Sequence, residues 1–91
     1  MDTVKKDLFR SGDPDFMTSL ARGLEVMRTL SQSSSELKMP EISKQTNLSR
    51  AVVRRCLYTL EELGYVESNS LSFRLLPKVL SLGQSYYGAK A

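Results

Sequence analysis

The chain has 91 residues, one cysteine, no histidine and a net charge of +3. This length fits a single domain, and one cysteine excludes an intramolecular disulfide. Because the sequence also lacks a glycine-rich phosphate loop and a recognisable pair of catalytic acids, we expect no enzyme, no metal site and no cofactor. A single cysteine fits the cytosol, so we expect a cytoplasmic protein. No apolar run approaches the roughly 18 residues that span a membrane, so we expect no membrane partner.

The first part of the chain predicts an arm followed by a helix. Residues 1–12 lack periodicity and indicate a flexible arm, whose cations are either solvated or available to a DNA minor groove. Asp13-Pro14 is a turn or helix-start signal, and a helix follows to about Leu30. The apolar stripe of this helix recurs at steps of three and four residues and comprises Phe16, Leu20, Leu24, Met27 and Leu30.

The next segment has the spacing of a helix-turn-helix. Pro40 suits the first turn of a short helix. Asn47 lies where that helix breaks and tolerates a left-handed backbone conformation. Ser49 is a good N-cap for the helix that follows. Residues 40–63 therefore predict a helix, a turn of three to four residues and a second helix.

The remainder of the chain predicts a hairpin and a last helix. Gly64 is the expected end of the long helix. Strands at 65–67 and 71–76 around a polar turn at 68–70 form a hairpin, the wing of a winged helix. The predicted fold is α+β and mostly helical, a winged helix-turn-helix over 13–76 with a two-stranded wing. A final helix begins at Pro77 and packs on the first helix or on a second copy of the chain.

The helix after Ser49 divides into two faces at about 100° per residue. One arc predicts core packing and holds Val52, Val53, Cys56, Leu57 and Leu60. The opposite arc is basic and holds Arg50, Ala51, Arg54, Arg55 and Tyr58. A DNA-recognition helix places such a face in the major groove, with its first residues on base edges and phosphates. We therefore predict DNA contacts at Ser49 and along this arc, with Arg55 on a phosphate or an internal partner. Cys56 is expected to be a small core residue rather than a redox sensor.

The excess positive charge lies in the same part of the chain. Residues 38–60 hold five cations and one anion, net +4, whereas residues 1–37 sum to −1 and residues 61–91 to zero. This asymmetry indicates either a nucleic-acid contact or a solvated basic face. Lys38 and Lys44 are candidate phosphate contacts beside the preceding helix. Arg74 on the hairpin is a candidate for a minor groove or a phosphate, and Arg22 is either a phosphate clamp or solvated.

The chain resembles the N-terminal DNA-binding domain of the IclR family of bacterial transcription regulators. Residues 19–24 match the opening-helix pattern Ser-Leu-x-Arg-x-Leu, and residues 63–66 match the Leu-Gly-Tyr-Val step before the wing. Residues 48–60 match the recognition-helix pattern Leu-Ser-x-x-x-Val-x-Arg-x-Leu-x-Thr-Leu, and residues 77–83 look like the start of the linker helix. Within the family, residues 13–24 and 54–57 look most like regulators of protocatechuate and other aromatic-acid catabolism.

The resemblance implies a dimer that binds a palindromic operator and controls aromatic-acid catabolic genes. Carried over residue by residue, it places the DNA-reading positions at Ser49, Arg50, Ala51, Arg54 and Arg55. Asn47 stands where glycine is usual in the turn.

Family members continue into a larger effector-binding domain, whereas the present sequence stops at Ala91. We therefore expect an isolated domain or a regulator that cannot sense a ligand in the family's way, and any small-molecule effector acts through that further domain. The alternative function is a winged helix used for protein association or dimerisation without DNA binding. RNA binding is less favoured, because an exposed aromatic platform is lacking.

Overall fold

The computed structural model describes residues 12–90, and the side chains of residues 87–90 are not described. The arm predicted over residues 1–12 therefore lies outside the described residues, apart from Gly12. The elements follow one another as α1 (Thr18–Ser31), β1 (Leu37–Lys38), α2 (Met39–Thr46), α3 (Arg50–Glu62), β2 (Val66–Asn69), β3 (Ser72–Leu75), a 3₁₀ helix (Pro77–Leu80) and α4 (Ser81–Lys90).

Helix α1 begins at Thr18, because Asp13 and Pro14 start a turn rather than a helix. The N–H of Phe16 donates to the Asp13 carbonyl at 3.1 Å. The N–H of Asp15 donates to the Asp13 carboxylate at 2.9 Å. Both hydrogen bonds stabilise a local turn that precedes the first helical hydrogen bond of α1.

The buried face of α1 differs from the predicted stripe. The helix buries Glu25, Val26, Thr29 and Leu30, whereas Leu20 and Leu24 are 56% and 55% exposed. Only part of the apolar stripe is therefore buried. Two neighbouring stripes of this helix both repeat at helical spacing, and the packing of α2 and α3 decides which one is covered.

The turn between α2 and α3 adopts the predicted conformations. Asn47 has φ 62° and caps α2, and its N–H donates to the Ser43 carbonyl at 2.9 Å. The Ser49 hydroxyl accepts the N–H of Val52 at 3.2 Å, as expected of an N-cap. The predicted helix-turn-helix is confirmed.

Two hydroxyl groups fasten this turn from inside. Thr46 is buried; its hydroxyl donates to the Ile42 carbonyl at 2.8 Å and accepts the N–H of Leu48 at 3.3 Å. The Ser43 hydroxyl donates to the carbonyl of Leu48. Because buried polar groups cost free energy when unpaired, these bonds hold α3 at a fixed angle to α2.

Helix α3 ends in a Schellman motif at Gly64, which has φ 89°. The N–H of Gly64 donates to the Glu61 carbonyl at 3.0 Å, and the N–H of Tyr65 donates to the Leu60 carbonyl at 2.9 Å. The predicted end of the recognition helix is confirmed. The motif turns the chain directly into the wing.

The wing belongs to a sheet of three antiparallel strands in the order β1-β3-β2. The predicted two-stranded wing is the hairpin of β2 and β3, and the sheet has a third strand that was not predicted, since Leu37 of β1 pairs with Phe73. Two residues are too few to show an alternating pattern, so β1 leaves no signal in the sequence. Asn69 pairs with Ser72. The tight turn is therefore Ser70-Leu71, later in the chain than predicted, and Ser70 has φ 62°.

The core lies where α1, α2 and α3 meet the sheet. Its buried side chains are Val26, Leu30, Leu37, Ile42, Val53, Leu57, Leu60 and Val66. The predicted last helix is a 3₁₀ helix from Pro77 that passes into α4. Lys78 attaches this segment to the body, because its ammonium donates to the Leu63 carbonyl at 2.8 Å and lies 5.1 Å from the Tyr65 ring centre. In the described part of the chain, no helix is long and apolar enough to cross a membrane.

Candidate nucleic-acid interface

Helix α3 has the two faces that were predicted for it, a buried apolar face and an exposed basic face. Val53, Leu57 and Leu60 are buried in the core, and Val52 and Cys56 are partly buried beside them. The opposite arc is exposed over its whole length and consists of Arg50, Ala51, Arg54, Arg55 and Tyr58. Packing the apolar arc therefore leaves the cations at the surface.

The first turn of α3 is electropositive for two reasons. It holds Arg50 and no acidic residue, and the N-terminus of a helix carries a partial positive charge. Ser49 satisfies the N–H of Val52, while the preceding N–H groups of the first turn have no partner within the helix. Phosphates and base acceptors suit such a helix start.

The acidic residues of α3 lie at its other end. Glu61 and Glu62 are exposed in the last turn, and Glu61 accepts a hydrogen bond from the Ser68 hydroxyl of the wing at 3.0 Å. A carboxylate repels phosphate, so the N-terminal half of α3 is the half suited to a DNA groove. The positive charge of the exposed face therefore decreases from the N-terminal end of α3 to its C-terminal end.

Lys38 and Lys44 lie at the two ends of α2 and are both exposed. The N–H of Lys38 donates to the Glu41 carboxylate at 2.7 Å. Glu41 is the single acid of the basic segment, and its position near Lys38 lowers the positive potential there. Lys44, in the last turn of α2 before Asn47, has the more favourable position for a phosphate.

Arg74 lies on β3 and is bound by carboxylates. Its guanidinium contacts Glu67 at 2.9 Å and Glu36 at 4.0 Å. An arginine held by two acids offers little net charge to a phosphate. This placement does not favour the DNA contact predicted for Arg74, which stays a prediction.

Arg22 and Arg55 line a groove between α1 and α3 rather than the middle of the basic arc. The Nε of Arg22 is buried and has no hydrogen-bond partner, although the residue as a whole is only partly buried. Arg55 is exposed at the rim, where the groove meets the basic arc. This position is compatible with a phosphate contact, one of the two roles predicted for Arg55.

Cys56 lies in the same groove, half-buried. Burial raises the pKa of its thiol, while the nearby charges of Arg22 and Arg55 act in the opposite direction. The thiol therefore stays protonated at neutral pH and is a weak nucleophile. This agrees with a core role for Cys56 rather than a redox role.

Known proteins with this sequence pattern are transcription regulators. Residues 19–70 match the IclR helix-turn-helix domain. The chain belongs to the IclR family. It is 53% identical over 76 residues to the Pca regulon regulatory protein of Pseudomonas putida. The matched region covers 84% of this chain and 26% of that protein. It is 35% identical over 74 residues to the Pca operon regulatory protein of Acinetobacter baylyi, covering 81% of this chain and 27% of that protein.

The fold is also shared with a solved member of this family. The IclR family transcriptional regulator from Brucella abortus superposes with a TM-score of 0.76 at 35% identity, over 85% of this chain and 30% of that one. The resemblance drawn from the sequence, including that to aromatic-acid regulators, is therefore confirmed. The chain spans about a quarter to a third of the length of these relatives. The domain is a DNA-binding domain of a transcription regulator and not an enzyme.

The groove is the feature that sequence reasoning missed. Its walls include Leu20, Leu24 and Leu63, each more than half exposed. The first two belong to the apolar stripe predicted for α1. A second apolar stripe beside Val26 and Leu30 was the available signal for an additional surface on α1.

Proposed function

We propose that the chain reads a palindromic operator as a homodimer in the bacterial cytoplasm and controls genes of aromatic-acid catabolism. The observation that carries the proposal is the exposed, acid-free first turn of α3 behind the Ser49 cap. A helix-turn-helix built in this way docks its second helix in the major groove.

Each residue of the basic face has a role that follows from its position. Arg50 and Arg54 suit the paired acceptors of guanine, because a guanidinium donates two parallel hydrogen bonds. Ala51 lets the backbone approach the groove and suits a thymine methyl group. Ser49 suits a phosphate at the helix start. Tyr58 lies on the same exposed face, nearer the C-terminal end of α3.

The flanking cations suit the phosphate backbone. Lys44 and Lys38, on the helix that crosses the backbone, add affinity without sequence preference. Arg55 at the groove rim suits a phosphate beside the recognition helix. Arg22 lies in the groove and Arg74 is bound to Glu67, so the proposal assigns no phosphate contact to either.

The gene class rests on two relatives whose names refer to Pca genes, the Pca regulon regulatory protein and the Pca operon regulatory protein. The operator geometry follows from symmetry. Two copies related by a two-fold axis read two inverted half-sites about one helical turn apart, or a multiple of it. We propose that any small-molecule effector acts through a further domain, since the chain spans only about a quarter of the length of these two relatives.

Titration with generic duplex DNA at several salt concentrations separates this function from protein association alone. We expect the logarithm of affinity to fall steeply with the logarithm of salt, by about 0.9 per neutralised phosphate. Lys44→Ala should weaken binding to all sequences alike and reduce that slope by about 1. The matched control is Arg74→Ala, which removes the same charge from an ion-paired side chain and should leave the slope unchanged.

Two results would contradict the proposal. Binding too weak to measure at low salt would favour the protein-association alternative, because that function needs no basic recognition face. A Lys44→Ala effect confined to one DNA sequence would show that Lys44 reads bases and not phosphates.

A further inference from the structure

The C-terminal end of α3 is electronegative and has no cation of its own. Its last turn holds Glu61 and Glu62 and no basic residue. The last carbonyl groups of a helix have no partner within it, and they carry a partial negative charge. A cation from another part of the chain can therefore stabilise this end of the helix.

Lys78 supplies that cation from beyond the wing. Its ammonium donates to the Leu63 carbonyl at 2.8 Å and lies 5.1 Å from the centre of the Tyr65 ring. Its aliphatic stem passes over Gly64, because a Cβ on that glycine would meet the Lys78 Cδ at 3.4 Å. One side chain thus contacts three consecutive residues at the point where α3 ends.

The part of the chain around Lys78 has few other means of attachment. We call residues 77–90, which form the 3₁₀ helix and α4, the terminal segment. No residue of the 3₁₀ helix is buried, and Leu80 and Leu82 are each more than half exposed. Helix α4 has ten residues, two of them glycine, and a helix of this length and composition is not stable by itself. The direction of the terminal segment therefore depends on the contacts of Lys78.

We propose that Lys78 is a positioning residue, which fixes the direction of the terminal segment relative to α3 and thereby sets the distance between the two half-sites that a dimer reads. The inference rests on the proposed function. Two reading helices keep one separation only when the connection between them is rigid. The chain leaves the reading body through the terminal segment, so any part of a dimer beyond that body is placed relative to α3 by this joint.

The location of Lys78 distinguishes this role from a contact with DNA. The residue lies at the acidic end of α3, a helix of 13 residues whose other end is the Ser49 cap. Its ammonium is already engaged by the Leu63 carbonyl. Removal of the charge should therefore leave the affinity for a single half-site, and the salt dependence of that affinity, unchanged.

The first measurement is ¹⁵N relaxation of the 91-residue chain without DNA. Lys78→Met keeps the aliphatic stem and loses the charge, whereas Lys78→Arg keeps the charge. We expect backbone order parameters of about 0.85 in α4 of the unaltered chain and of Lys78→Arg, and below about 0.6 in α4 of Lys78→Met. The order parameters of α3 should stay high in all three proteins, which separates a released joint from a general loss of structure.

The second measurement compares binding to inverted repeats whose half-sites differ in separation by single base pairs. We expect the unaltered chain and Lys78→Arg to prefer one separation over its neighbours by about tenfold, the order of magnitude of one charge-assisted hydrogen bond. Lys78→Met should reduce this preference to about twofold. The matched control is Arg74→Met, which removes an equal charge from β3 and should retain the preference.

Three outcomes would overturn the inference. Order parameters of α4 that Lys78→Met leaves high would mean that other contacts hold the terminal segment. A mobile α4 together with an undiminished spacing preference would mean that the joint does not set the half-site distance. A reduced salt slope on a single half-site would make Lys78 a phosphate contact.

The proposed function fails by a different result. An unaltered chain that binds DNA without preferring any separation would contradict reading as a dimer and the spacing role with it. The relaxation measurement uses no DNA, so it would still decide whether Lys78 holds the terminal segment.

Discussion

Asn47 shows how one residue sets the angle of the recognition helix. Its backbone has φ 62°, a left-handed conformation that costs most residues with a Cβ about 1–2 kcal/mol. Asparagine is among the residues that tolerate this conformation, and glycine pays no Cβ penalty there. The turn therefore keeps its shape without the glycine that is usual at this position in the family.

Replacing Asn47 tests that reading. Asn47→Ala should lower the free energy of unfolding by about 1 kcal/mol, because alanine keeps the Cβ and lacks the local hydrogen bonding of asparagine. Asn47→Gly should be close to neutral. Urea denaturation of both variants measures the difference. Equal stability of the alanine and glycine variants would show that the left-handed conformation carries no strain.

Residues whose roles are local could be predicted from the sequence, and residues whose roles depend on tertiary neighbours could not. Asn47 and Ser49 act through hydrogen bonds within a few residues, so spacing alone placed them correctly. The exposure of Leu20 depends on which side of α1 packs against α2 and α3. The pairing of Arg74 with Glu67 depends on the strand register, which the sequence did not specify.

Among the elements, α3 is defined at both ends by single residues. Ser49 accepts a hydrogen bond at the start, and Gly64 closes the Schellman motif at the end. A Cβ on Gly64 would meet the Lys78 side chain at 3.4 Å, an ordinary contact distance. Crowding is therefore a minor cost there, and the φ of 89° is the main one.

A pair of glycine variants separates these effects. Gly64→Ala should destabilise the chain by about 1–2 kcal/mol through its left-handed backbone. Gly23→Ala is the matched control within α1, where an added Cβ meets nothing within 4 Å. That variant should stabilise the helix by about 0.5–1 kcal/mol. Thermal or urea unfolding gives both values, and a neutral Gly64→Ala would contradict the role assigned to the motif.

The sheet shows the limit of element prediction from a sequence. The hairpin was identifiable because two extended runs flank a polar turn. Strand β1 was not, because Leu37 and Lys38 form a strand only by pairing with β3. That pairing ties the loop before α2 to the wing and so connects the two halves of the helix-turn-helix to one scaffold.

At the scale of the whole molecule, the fold separates three surfaces. The apolar arc of α3 fills the core, its basic arc faces outward, and the groove beside it is lined by Arg22 and by Arg55 from the basic arc. A net charge of +3 is too small to direct the chain to DNA by itself. The concentration of charge at the start of one well-anchored helix is what supports the proposed reading of a DNA sequence.

Selection from a random duplex DNA pool tests the central claim most directly. The unaltered chain, Arg50→Ala, Arg54→Ala and the control Arg74→Ala would be selected in parallel. We expect the unaltered chain and Arg74→Ala to enrich the same inverted repeat. Arg50→Ala and Arg54→Ala should each relax the preference at one base position of the half-site and lose about 1–3 kcal/mol of binding free energy. Enrichment of the same repeat with unchanged affinity by both arginine variants, or enrichment of no sequence by the unaltered chain, would contradict the assignment of α3 as the reading helix.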